Sequence, residues 1–120
     1  MRTQLFNEKD FEQITLTVNN DWKIIYNKLT IFDPEIHELT EEEFDFYTLG
    51  LFTQNMTQIE SKDKKLLIDI GWYPDSEING EFLLQVLPIK DGDCDWFNPI
   101  AEFRTRSLKQ LVLKIEELTK

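Results

Sequence analysis

Lys65-Leu-Leu-Ile-Asp-Ile-Gly-Trp-Tyr-Pro-Asp75, followed after Ser76-Glu-Ile-Asn-Gly80 by Glu81-Phe-Leu-Leu-Gln-Val-Leu-Pro-Ile89, is the stretch that decides the fold. Both runs are aliphatic and aromatic, and between them lie Pro74, Asp75, Asn79 and Gly80, residues that reverse a chain cheaply. The pattern predicts an antiparallel hairpin at the centre of a sheet. Side chains alternate along a strand, so Leu66, Ile68, Ile70 and Trp72 share one face while Leu67, Asp69, Gly71 and Tyr73 share the other. On the returning strand Phe82, Leu84 and Val86 oppose Leu83, Leu87 and Ile89. Apolar residues on both sides imply that both faces of this hairpin are covered, with Trp72 in the core.

Toward the N-terminus, Ile14, Leu16 and Val18 alternate with Thr15 and Thr17, the period of a half-buried strand. Asn19-Asn20-Asp21 turns the chain, and Trp22 to Phe32 returns with β-formers, predicting a second hairpin over about 13 to 32. Asn27-Lys28 interrupts its pattern and marks a bulge or bend. Asp33-Pro34 ends it. The next segment is different in kind, with Asp33, Glu35, Glu38, Glu41, Glu42, Glu43 and Asp45 and neither Lys nor Arg between them. Thr40-Glu-Glu-Glu43 has the form of a capping box. Phe44, Tyr47, Leu51, Phe52, Met56 and Ile59 then fall on one broad helical arc, predicting a helix near 41–60; the competing reading is a strand from Phe52 to Ile59. The Met and aromatic stripe is core in either case.

Toward the C-terminus, Lys90 to Pro99 opens with turn formers, Ile100 to Phe103 can add a short strand, and Ser107-Leu-Lys-Gln110 is another capping box. It starts a helix whose Leu108, Leu111, Val112, Ile115 and Leu118 form one apolar stripe, suited to lie across a sheet face. The expected fold is therefore α+β. It is a mostly antiparallel sheet of about four to five strands, packed with a C-terminal amphipathic helix and a further helix near residues 41–60, in one domain spanning 1–120.

Charge bounds the function. The 120 residues carry 23 acids against 13 Lys plus Arg, a net charge of −10. Nucleic acid and anionic membranes demand a basic footprint, so direct binding to either is not expected; the natural complement is a basic partner, against the plainer reading of a solubility surface. The field is uneven, because residues 1–60 hold twelve acids and four bases, net −8, and residues 61–120 are net −2. One cysteine, Cys94, excludes an internal disulfide and suits a reducing compartment. The chain shows no signal peptide and no apolar run of about 20 residues, which makes the cytoplasm the expected location.

Groups for catalysis are sparse. His37 and Cys94 are the only histidine and cysteine, and neither sits in a nucleophile signature. Asp91, Asp93, Asp95 and Glu102 have the 1, 3, 5 and 12 spacing of an EF-hand, but Trp96 replaces the glycine at position 6, Pro99 falls inside the loop and a strand precedes it. Neither a phosphate-binding glycine loop nor a zinc spacing is present. These patterns imply neither cofactor nor metal and favour a protein that is not an enzyme.

The run Leu67-Ile-Asp-Ile-Gly-Trp-Tyr-Pro-Asp75, the Gly80-Glu-Phe-Leu-Leu strand after it and the short amphipathic helix at the end resemble the small cytoplasmic immunity proteins of bacterial contact-dependent growth inhibition and related polymorphic toxin systems. The resemblance covers about the second half of the chain. It implies binding to the C-terminal toxin domain of a delivered effector, and many such toxins are nucleases, whose basic clefts an acidic surface complements. The contact residues come from charge and pattern alone. They are Asp33, Glu35, Glu38, Glu41, Glu42 and Asp45, a second patch of Asp91, Asp93 and Asp95, and the aromatic anchors Tyr73 and Trp96. Two other readings stay open: an adaptor for some other basic protein, and a metal-binding protein using the 91–102 loop. Oligomeric state is open as well.

Overall fold

The computed structural model describes residues 13–30, 33–34, 42 and 52–120. Among the described residues, strands β1 (Trp22–Asn27), β2 (Thr57–Ser61), β3 (Leu66–Tyr73), β4 (Glu81–Lys90), β5 (Asp93–Cys94) and β6 (Ala101–Thr105) precede the C-terminal helix α1 (Leu108–Leu118). They form an α+β unit built on a six-stranded antiparallel sheet in the order β1-β2-β3-β4-β5, with β6 also paired to β4. The central hairpin is β3 and β4, in unbroken register from Leu66↔Pro88 to Tyr73↔Glu81. Its alternation is the one read from sequence. Ile68, Ile70, Trp72, Phe82, Leu84 and Val86 join Ile59, Leu111 and Ile115 in the main core, whereas Leu67, Leu83 and Leu87 are buried on the opposite face.

Trp72 anchors the core. Its ring meets Phe52 at 4.8 Å and Phe82 at 5.0 Å between centroids, both edge-on, the arrangement that aligns ring edges with π faces. The buried indole N–H donates to the Glu77 carbonyl at 2.6 Å, so the connection from Pro74 to Gly80 folds back over it. Gly80 lies against that indole with no room for a Cβ, and Arg106 clamps the same connection by donating to the carbonyls of Ile78 and Gly80.

Helix α1 starts where the capping box places it. Ser107 Oγ accepts from Gln110 N at 3.1 Å, satisfying one of the N–H groups that a helix start leaves over. Leu108, Leu111 and Ile115 are buried along one stripe, with Val112 and Leu118 packed at its margin.

The helix expected near 41–60 is not found over its second half. Thr57–Ser61 is β2, paired with β1 on one side and β3 on the other, so a strand forms here as the competing reading expected, but it starts at Thr57 rather than Phe52 and runs on to Ser61; residues 43–51 lie outside the described residues. The physical reason is that Thr57, Ile59 and Ser61 point inward in a period of two, and the buried Thr57 hydroxyl is satisfied by Asn27 Oδ1 at 2.8 Å. The N-terminal hairpin is looser than expected. Residues 14–19 form no strand, and the link is a single bridge, Gln13↔Thr30, supported by Ile14 N donating to Leu29 O. The bulge falls at Ile25, between Ile24 and Tyr26, two residues before the expected Asn27-Lys28.

Candidate partner-binding surface

On the outer edge of β4, two bonds fix where the chain leaves and rejoins the sheet. Asp95 N donates to Pro88 O at 2.8 Å and Ile100 N donates to Val86 O at 2.7 Å. Their acceptors are two residues apart on β4, roughly 7 Å along a strand, while the donors are five residues apart in sequence. The surplus, Trp96-Phe97-Asn98-Pro99, is therefore thrown outward from the edge. Phe97 is 93 % exposed, Ile100 61 % and Trp96 49 %. Large apolar side chains so uncovered, gathered in one loop, make it a candidate contact surface.

The loop is held from within. Asp95 Oδ1 accepts from Phe97 N at 3.2 Å and its Oδ2 from Asn98 Nδ2 at 2.9 Å. The Asn98 amide, helped by the Phe97 and Asn98 N–H groups and by Lys90, holds the Asp95 carboxyl below the usual carboxylate range in spite of some desolvation. Asp91 and Asp93 stand exposed at its foot. Asp91 and Gly92 have φ of 53° and 82°, the left-handed pair of a two-residue hairpin turn between β4 and β5. That turn, with Cys94 in β5 and Glu102 in β6, replaces the loop an EF-hand would need. Among the described residues there is no group of three or more His, Cys, Asp or Glu that could hold a metal ion.

Of the residues singled out by sequence, the structure thus brings Asp91, Asp93, Asp95 and Trp96 together. Tyr73 is half-buried at the opposite end of the hairpin, paired with Glu81, and lies roughly 20 Å along β3 from Leu67, the residue level with the stretch of β4 that anchors the loop. Asp33 is only 5 % exposed, and its Oδ2 accepts from Lys109 N at 3.4 Å, which places it at the positive start of α1 rather than at an open surface. Glu42 is exposed; Glu35, Glu38, Glu41 and Asp45 lie outside the described residues, as does His37. Sequence reasoning missed Phe97 and Ile100. The available signal was Trp-Phe set between Asp95 and the turn-forming Asn98-Pro99.

The second face of the central hairpin carries a buried carboxyl, Asp69, which is 3 % exposed. In register with it lie Gln58 on β2 and Gln85 on β4, and Gln58 Nε2 donates to its Oδ1 at 3.1 Å. Burial pushes the Asp69 carboxyl up, against the hydrogen bond that favours its ionised form. Burial also raises Cys94, with Asp69 and Asp95 adding to the effect. That is the reverse of activation, because a nucleophilic cysteine needs its thiolate.

Comparison of the chain with protein-family models, with curated proteins and with solved structures found no match. No helix among the described residues is long and apolar enough to cross a membrane.

Proposed function

We propose that this protein is a non-enzymatic inhibitor of a basic toxin domain, an immunity protein of the contact-dependent growth inhibition kind acting in the cytoplasm. The observation that carries the reading is the Asp95-organised loop, which presents Trp96 and Phe97 beside Asp91 and Asp93 on a chain of net charge −10. Each part has a task in binding. The charge steers a basic partner and fixes which surface it meets, while the aromatic side chains supply the buried anchors from which most interface energy comes. A toxin that cleaves nucleic acid must carry Lys and Arg for the phosphates, so a carboxylate-bearing surface occupies the same cleft and excludes substrate by bulk and charge. Inhibition of this type needs no chemistry from the inhibitor.

The test is protection. Where a C-terminal toxin domain is encoded beside this gene, cells expressing that domain should stop growing, and co-expression of this protein should restore growth. Continued arrest, with both proteins present in soluble form, removes the immunity reading and leaves an adaptor for some other basic protein.

A further inference from the structure

We infer that β6 is a self-association edge, at which a second copy of this chain pairs antiparallel about a two-fold axis through Phe103. The inference is independent of the toxin-binding reading. Strand β6 bonds to β4 along one side, and among the described residues it has no strand on the other. Such an edge offers unpaired N–H and C=O groups to any extended chain, and proteins commonly blunt it with charge. Here the charges have a specific pattern. Glu102 and Arg104 are both exposed, lie two positions apart on the same face of β6, and flank Phe103.

Opposite signs at that spacing select one partner and one register. Pairing two β6 strands antiparallel with Phe103 opposite Phe103 sets Glu102 of each copy directly across from Arg104 of the other, giving two cross-strand ion pairs. Parallel pairing in register would set like charges against each other, which is destabilising. A self-complementary patch of this kind is what a two-fold interface requires. Among the described residues of one chain, Arg104 meets Glu81 at 3.5 Å and Glu102 at 3.9 Å, both weak competitors because all three are exposed to solvent.

The apolar surface agrees. Phe103 packs on the margin of the main core but is still half-exposed, capped by the Lys114 ammonium at 5.6 Å from its ring centroid. Two such rings meeting at the axis would bury the part of Phe103 that one copy leaves exposed. Ile100, exposed immediately before β6, would reach the far end of the partner strand and extend the contact beyond the ladder.

Sedimentation over a concentration series tests the inference with three proteins: wild type, Arg104→Glu, and the swap Glu102→Arg/Arg104→Glu. The wild type should dimerise, Arg104→Glu should weaken the dimer about tenfold or more, and the swap should restore it, because it exchanges the signs and keeps the complementarity. Circular dichroism verifies that each variant folds. A wild type that stays monomeric overturns the inference, as does a dimer indifferent to Arg104→Glu or one that the swap fails to rescue. Amide protection of β6 appearing only when a toxin domain is added would assign the edge to that partner and overturn it equally.

Discussion

Asp69 keeps a carboxyl group in a place that penalises its charge, and the consequence is a pH dependence of defined sign. Its native pKa is raised by burial, whereas in the unfolded chain it titrates in the ordinary carboxylate range. Between those two values the native state holds a proton that the unfolded state has lost. Stability from this group is therefore complete below the ordinary range and is lost as pH rises through the raised native value. Asp69→Asn removes the charge and leaves an amide oxygen for Gln58, so thermal melts should show the variant more stable than wild type at neutral pH. The difference should close on acidification. A variant less stable than wild type at neutral pH would mean that the ionised carboxylate is a net asset to the fold.

At the level of elements, the loop from Asp95 to Ile100 is separable from the core that carries it. Trp96 and Phe97 are exposed, so alanine at both should leave the melting temperature within the small range typical of surface changes. Affinity for the toxin domain should fall by about 2 kcal/mol or more, roughly thirtyfold, the scale of an aromatic anchor. Unchanged affinity would move the interface elsewhere. The sheet around the loop was legible in sequence where one pattern governed a whole element. Leu66 to Tyr73 and Glu81 to Ile89 alternate without a break, and Ser107 with Gln110 marks the start of α1, so these elements lie where the residues place them. Strand β2 was hidden. Met56 and Ile59 extend a helical arc begun at Phe44, and the inward Thr57 looks polar until Asn27 is known to satisfy it. Asn27 was read as an interruption for the same reason. Its side chain accepts locally from Leu29 N, and it also donates to Ile14 O at 2.9 Å and accepts from Thr57 Oγ1, two partners distant in sequence that only the tertiary fold brings to it. The loop's output was half visible, since Trp96 and its neighbouring acids stood out while the exposure of Phe97 and Ile100 depends on two backbone bonds to β4.

For the whole molecule the governing quantity is the field of a chain with net charge −10, concentrated in its first half. A field of that sign accelerates encounter with a basic partner and fades with added salt, because counter-ions screen exposed charges beyond about 8 Å at physiological ionic strength. Burial of Asp33 at the start of α1 keeps it from direct contact with a partner, while Glu42, Asp91 and Asp93 remain exposed to meet one. The most direct measurement is a calorimetric titration of this protein with any C-terminal toxin domain encoded beside its gene, at low and at high salt. Tight binding that weakens as salt is added is the predicted result; no binding at low salt, or affinity that salt leaves untouched, would contradict an acidic inhibitor of a basic toxin.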